Sequence, residues 1–404
     1  MSGRGNDARR AEGAVLRAVV AVLAVTAAAC SSSPGAAPGA QGPAPPAVTI
    51  PLDTTLPTPS GTVAVVAMGL LHDPLNTFWQ LFSRAGGADA WTLVTPAGVA
   101  DNGGLVAASS GSGGAPSGGS LLVGFEPSQD LVFSPLAHSA DQGRTWSAGL
   151  VQSGLAAVPD ALALAPDGEA LALLRPRGGE VVRSAGDTSA WTTVVHRAGL
   201  ESATGASACG VGRLTAVALG TAGAPLVATS CSVPGVSGIF GTTGGRWRLV
   251  GPRLATDAPA TVVRLVDDDG TADGLVVTDR AGRLVVVSVS GTPGGTWVQS
   301  APLHLGAGAR IAATGLEPGG GFVVLASSGA GSLTLATEAG PAGGWQTLAT
   351  PPVGTAAVAV GAGGEVDALV VAATVMTDWR LDTATGRWGK IAAVRVPIEF
   401  GSSS

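Results

Sequence analysis

The sequence predicts an all-β fold built as a ring of repeated units, and three observations predict it. A Trp that follows a turn and opens an apolar strand stands at Trp91, Trp146, Trp191, Trp247, Trp297, Trp345 and Trp388. The intervals between them are 55, 45, 56, 50, 48 and 43 residues, close enough to one period to mean one structural unit copied along the chain. Each interval holds three or four short runs rich in Val, Leu and Ala, separated by Gly, Pro, Asp or Ser. Repeats of about 40 to 50 residues, each with a few short strands, are the signature of propeller blades. The expectation is a β-propeller of seven four-stranded antiparallel blades spanning residues 61–400, with six blades as the alternative if one repeat is miscounted.

The chain opens with a targeting segment, residues 1–30, that is set apart from the fold. Arg4, Arg9, Arg10 and Arg17 supply a positive start, and the apolar run Ala18–Thr26 is too short for a permanent span. It ends in Ala27-Ala28-Ala29-Cys30, which resembles the lipobox of bacterial lipoproteins. That resemblance implies acylation of Cys30 as the mature N-terminus, a membrane attachment through lipid, and a location on the outer face of the cytoplasmic membrane. The other reading is an ordinary secretory signal with Cys30 incidental. Residues 31–60 are rich in Ser, Pro, Gly and Ala with one charge, Asp53, and are expected to stay extended as a disordered tether.

Composition narrows the partners. Only 12% of residues are charged and the net charge is −6, so no basic stripe exists for phosphate neutralisation and nucleic acid is excluded as a partner. Abundant Ala, Gly, Arg and Pro beside a single lysine, Lys390, fits a GC-rich genome of the actinobacterial kind. Two cysteines remain in the body, Cys209 and Cys231, and an even pair in an exported chain reads as a disulfide. They flank the strands Leu214–Leu219 and Pro225–Ser230, so the bridge would staple one blade.

Within the blades, several strands are apolar at consecutive positions, as in Val285-Val286-Val287 and Leu369-Val370-Val371. Strands buried on both faces read this way, as those of a blade packed between two neighbours must. The first repeat shows only Val63–Leu70, Thr77–Ser83 and Trp91–Thr95, one strand short. Ala393–Phe400 is one strand left over at the other end, so pairing it into the first blade would close the ring. The rival closure places Val48–Leu52 in the last blade.

Residues 139–146 read Ser-Ala-Asp-Gln-Gly-Arg-Thr-Trp. This octad resembles the Asp-box, or bacterial neuraminidase repeat, of the sialidase superfamily. The resemblance implies a rim hairpin in which Ser139, Asp141, Gly143, Thr145 and Trp146 are structural: Asp141 caps backbone amides, Gly143 takes a positive φ, and Trp146 packs between strands. The other six repeats keep the Trp and the turn but lose Asp at that register, as in Thr242-Thr243-Gly244-Gly245-Arg246-Trp247. Catalysis of the sialidase kind needs a Tyr nucleophile and an arginine clamp. The chain has no tyrosine at all and lacks the spacing of the arginines.

Two further features carry alternatives. Asp267, Asp269 and Asp273 surround a Gly turn and resemble part of the calcium loop of integrin-type propeller repeats, so calcium is the one cofactor the sequence suggests. The competing and stronger reading is a solvated acidic hairpin. Trp79 and Trp379 are extra to the repeat, and either plug a seam between the first and last blades or form an aromatic platform for sugar or peptide. The functional expectation is a monomeric, non-catalytic binding or scaffold module of the cell envelope, with an envelope protein or a glycan as partner. The alternative is a secreted glycan-active enzyme of the Asp-box superfamily. The central face is expected to separate them, since an enzyme gathers Arg, Asp and Glu around the pore.

Overall fold

The computed structural model describes residues 52–69, 77–96, 104–110, 119–126, 134–147, 151–152, 155, 159–175, 179–186, 188–220, 223–268 and 270–397. The leader with Cys30, the tether up to residue 51, and Asp269 lie outside the described residues. Short Val-, Leu- and Ala-rich runs broken by Gly turns form the strands, and these fall into seven consecutive antiparallel sets of four. The chain is an all-β propeller.

Blade one comprises Thr55–Thr58, Gly61–Gly69, Thr77–Ala85 and Thr92–Leu93, and blade two Gly104–Ser109, Leu121–Glu126, Ser134–Ser139 and Val151–Gln152. Blade three is Ala161–Leu164, Glu169–Leu174, Glu180–Ala185 and Thr192–His196. Blade four is Val211–Leu219, Pro225–Cys231, Gly238–Thr243 and Arg246–Leu249; blade five is Ala260–Asp268, Thr271–Arg280, Arg283–Gly291 and Trp297–Gln299. Blade six is Arg310–Leu316, Phe322–Ser327, Leu333–Glu338 and Trp345–Thr347, and blade seven Thr355–Val360, Val366–Ala372, Val375–Asp382 and Arg387–Arg395. Blades four and five are merged by the pairs Ser230↔Thr261 and Cys231↔Ala260, and an extra strand, Leu303–Ala307, pairs with Arg283–Gly291.

Two short helices, Arg197–Glu201 and Ala206–Cys209, enter blade four. The second ends at Cys209, which is disulfide-bonded to Cys231. Since Val211 pairs with Cys231, the bridge staples the first two strands of blade four, as its position in the sequence predicts.

The core is divided among the seams. Seven hydrophobic clusters occupy the described residues, and each joins one pair of adjacent blades, blade seven to blade one included. Each repeat Trp packs at the seam between its own blade and the one before it. Trp146 packs with blade one and donates to the Val94 carbonyl at 2.8 Å, and Trp345 packs with blade five and donates to Ser300 Oγ at 3.2 Å. Trp388 meets the Ala349 carbonyl at 3.4 Å, and Trp91 reaches back to blade seven through Asp378 Oδ2 at 3.1 Å. A large planar side chain at the start of each outer strand spans the gap that Ala and Val leave between the blades.

Closure differs from the expectation that the C-terminal strand completes blade one, and of the rival strand Val48–Leu52, residues 48–51 lie outside the described residues. Ala393, Val394 and Arg395 continue the outer strand of blade seven, opposite Thr377, Met376 and Val375, and do not pair into blade one. The missing strand of blade one is Thr55–Thr58, within the segment expected to be tether, and it pairs with Gly61–Ala64. Thr54, Thr55, Leu56 and Thr58 are buried. The segment is polar and contains Pro57, so its composition reads as linker. Burial at the ring centre makes it a strand, and Pro57 is tolerated because this is an edge position. The seam itself is closed by one backbone hydrogen bond, from Gly69 N of blade one to the Ala373 carbonyl of blade seven at 2.9 Å, and by side chains: Asp367 of blade seven receives Arg84 of blade one and, at 2.8 Å, Arg380 Nε. Arg84 also lies over the Trp91 ring at 4.8 Å.

Candidate functional site

The first strand of each blade faces the centre, and the N-terminal segment crosses there before it becomes the first strand of blade one. Asp53 forms a parallel bridge with Thr314 of blade six. Thr54 N donates to the Thr314 carbonyl at 3.0 Å, and Thr55 Oγ1 to the Val358 carbonyl of blade seven at 2.9 Å. Arg264 of blade five, 2% exposed, donates to the Thr55 carbonyl at 2.9 Å and Thr314 Oγ1 at 3.2 Å, and pairs with Asp53 at 3.4 Å. Burial disfavours the guanidinium charge, and Asp53 opposes that effect.

Beside this plug lies a cavity of about 140 Å³. One wall is apolar, supplied by the first strands of blades two, three and four through residues such as Ala107, Leu162, Leu164, Val217 and Leu219. The other is acidic, formed by Asp267 and Asp268 at the end of the first strand of blade five, Asp273 on its second, and Glu317 in the turn after Leu316. Asp273 stands opposite Val266 and Ser290 in the blade five ladder, so these share a face turned toward blade six. There Glu338, at the end of the third strand of blade six, accepts from the Ser288 hydroxyl and, at 3.1 Å, from Phe322 N.

These carboxyls hold their protons unusually tightly. Burial raises Asp273 to about 6, helped by the charges of Asp268 and Asp267 and opposed by a hydrogen bond from Ser290. Glu317 is raised to about 7 by burial and by the Glu338 charge. Glu338, 2% exposed, is likewise raised to about 7, chiefly by burial against hydrogen bonds from Ser288 and Phe322. Asp273 Oδ1 and Glu317 Oε1 are buried without a hydrogen-bond partner.

Of the residues suggested as calcium ligands, Asp267 and Asp273 reach this wall and Asp269 lies outside the described residues. Asp267 Oδ1 accepts from Gly270 N at 3.0 Å, the hydrogen bond of an acidic turn. Among the described residues no group of three His, Cys, Asp or Glu is placed to hold a metal ion. Sequence reasoning missed Glu317 and Glu338. Their signal was slight: an isolated acid at the end of an apolar strand in a chain with few charges.

The platform reading of Trp79 with Trp379 is corrected. Trp79 is 1% exposed and packs in the seam between blades one and two, away from solvent and from blade seven. Trp379, opposite Ala368 in blade seven, is half-buried. They share no surface, because the antiparallel register turns Trp79 toward the following blade rather than toward the closing seam.

The 139–146 turn is structural. Asp141 Oδ1 accepts from Thr145 N at 2.8 Å and Oδ2 from the Thr145 hydroxyl at 2.6 Å, which lowers its pKa. Ser139 Oγ accepts from Gly143 N at 2.7 Å, and Gly143 sits at φ +84°. A second capping carboxylate escaped the sequence reading. Asp382 accepts from Ala384 N and Thr385 N and from the Thr385 hydroxyl, six residues before Trp388 rather than five before it, as Asp141 is before Trp146.

No protein-family model matches the chain, and no curated protein matches it in sequence. Its fold is similar to solved structures. A putative 6-phosphogluconolactonase from Bacteroides fragilis superposes with a TM-score of 0.53 at 13% identity, covering 83% of this chain and 96% of that one. A protein from Lactobacillus plantarum gives 0.51 at 13% identity, over 84% and 97%. A six-bladed fucose-recognising lectin from Aleuria aurantia gives 0.40 at 15% identity, over 74% and 97%. At these identities the likeness concerns the fold alone.

Proposed function

We propose that the chain is a lipid-anchored, extracytoplasmic propeller that binds a protein or glycan of the cell envelope and performs no chemistry of its own. The observation that carries this reading is Arg264. It is the arginine of the central cavity, and its guanidinium is committed to Asp53, Thr55 and Thr314, so it holds the ring rather than a substrate. The Cys209–Cys231 disulfide supports an oxidising compartment. No helix among the described residues is long and apolar enough to cross a membrane, so attachment rests on Cys30 in this reading.

One observation favours the rival, a glycan-active enzyme of the Asp-box superfamily: Glu317 and Asp273 line a cavity and are raised to about 7 and about 6, toward the range of a general acid. A glycosidase, however, needs two carboxyl groups on opposite sides of the scissile bond. Asp267, Asp268, Asp273 and Glu317 all come from two neighbouring blades. The test has two arms. Cys30→Ala is expected to move the protein from the membrane fraction to medium or leave it unprocessed, and unchanged retention refutes the anchor. Purified protein is expected to leave fluorogenic sialosides and other glycosides intact, and sustained turnover establishes the enzyme instead.

A further inference from the structure

Four antiparallel strands return the chain of each blade to the rim where it began, so all seven first strands start at one rim of the ring. That rim carries the connections between blades and the turn after each second strand. Leu52–Thr54 runs parallel to the first strand of blade six through the Asp53–Thr314 bridge, so the chain also enters the ring from this side. The two rims differ in charge. Along blades five to seven the first rim has no Asp or Glu over residues 300–310, 327–333, 347–355 and 372–375. Arg283, Arg310 and Arg395 stand exposed beside these turns, and none forms an ion pair among the described residues. Asp160, Glu201 and Asp257 of the same rim are each paired with an arginine, and Asp279 caps the Gly282 amide at 2.8 Å. The opposite rim carries Asp141, Asp167, Asp268, Glu365 and Asp382 outside any ion pair, with Arg144 and Arg387 beside Asp141 and Asp382.

An apolar tip completes the acid-free arc. Val353, in the connection between blades six and seven, is 91% exposed, more than any other large hydrophobic among the described residues. Pro351 and Pro352 precede it and restrict the backbone. Hydrogen bonds from Thr355 N to the Pro352 carbonyl at 3.3 Å and from Val371 N to the Gly354 carbonyl at 3.0 Å fix the turn. A rigid turn that holds an apolar side chain in water is stabilised when that side chain enters a less aqueous phase. Unpaired guanidiniums around the tip match the phosphates of an anionic lipid surface. We propose that the first rim of blades five to seven is a membrane-contact surface, with Val353 at the headgroup boundary and Arg283, Arg310 and Arg395 on lipid phosphates. The rim that carries the unpaired carboxylates then faces away from the bilayer. This rests on the anchored-propeller reading and states which side of the ring the anchor holds against the lipid. So few side chains hold a protein on a bilayer only weakly, and the contact therefore orients an anchored molecule without replacing its acyl chain.

The intact protein, isolated from membranes, can be reconstituted on vesicles of phosphatidylcholine alone or of phosphatidylcholine with phosphatidylglycerol, both doped with a lipid that carries a nitroxide on its headgroup. Val353→Cys and Thr383→Cys, the second exposed in the turn between the last two strands of blade seven on the opposite rim, each take one fluorescent label. Cys209 and Cys231 are bonded to each other, and the parent chain labelled in parallel reports any free Cys30. On anionic vesicles the Val353 label is expected to be quenched and the Thr383 label spared, and on neutral vesicles the difference should shrink. Replacing Arg283 and Arg310 by Gln should weaken the close contact by roughly fivefold for each arginine removed. Both side chains are exposed, so the melting curve should not move. Raising the ionic strength from about 0.1 M to about 1 M shortens the screening length about threefold and should weaken the contact likewise. Retention on both kinds of vesicle with the two labels quenched alike overturns the proposal and leaves the anchor standing. Undiminished contact in the double arginine variant also overturns it. Retention by anionic vesicles alone, with the Val353 label quenched, supports the surface and refutes the anchor, and retention by neither overturns both.

Discussion

At the scale of single residues, the carboxyls divide by their surroundings rather than by their sequence. Asp141 and Asp382 sit in exposed turns and accept amide and hydroxyl hydrogen bonds, which favour the ionised form. Asp273, Glu317, Glu338 and Asp378 are desolvated, and each is raised, to about 6 for the aspartates and about 7 for the glutamates. Unfolded carboxyls titrate near 4, so between about pH 4 and about pH 7 the folded state binds more protons than the unfolded one. The stability these groups contribute is full below that window and is lost as pH rises through it. The melting temperature should therefore fall from pH 5 to pH 8. Glu338→Gln, whose amide can still accept from Phe322 N and donate to Ser288 Oγ, should raise it by roughly 2 °C at pH 8 with little change at pH 5. Thermal melts across the pH range check this. Trp146 is half-buried and bonded to Val94, so Trp146→Ala should cost about 3 kcal/mol in denaturant titration.

At the scale of elements, the strands are legible and their partners are not. The runs of Val, Leu and Ala locate nearly every strand, because a residue buried on both faces of a blade must be apolar whatever its neighbour is. Thr55–Thr58 escapes that logic. It is polar, and only its place at the ring centre, against Thr314, Val358 and Arg264, makes it a strand. Deleting residues 31–50 should leave the melting curve unchanged. Extending the deletion through residue 58 should cost more than about 3 kcal/mol, since it strips buried Arg264 of its carboxylate. The blade four disulfide closes a loop of 22 residues. Replacing Cys209 and Cys231 together by Ala should cost about 3 kcal/mol in the chain-entropy account, measurable by urea unfolding.

At the scale of the whole molecule, the ring has no exchanged strand to lock it. Blade one comes entirely from the N-terminal side and blade seven entirely from the C-terminal side, so their seam depends on side chains and on the single backbone bridge between Gly69 and Ala373. A hydrophobic cluster around Phe82, Trp91, Leu369 and Met376 forms its body. Asp367 with Arg84 and Arg380 forms its polar part. Breaking such a buried pair leaves a charge without compensation, and Asp367→Ala should destabilise by about 3 to 5 kcal/mol. Because opening this seam opens the ring, protease cutting under native conditions should rise with it. A variant that melts like the parent protein shows that the seam does not need this ion pair.

The sequence by itself determined the class of fold, the repeat and the stapled blade, because each is written in local patterns: a Trp after a turn, runs of Val and Leu, two cysteines astride one strand pair. The tertiary structure alone decided how the ring closes, which polar segment fills its centre, and where the carboxyls meet. Closure and the central segment depend on contacts between residues 260 or more apart, such as Thr54 with Thr314 and Arg84 with Asp367, and the carboxyls on contacts between neighbouring blades. Propeller packing brings such residues together by geometry rather than by pattern, so a single acid at the end of one strand carries no mark of the acid it will face on the next blade.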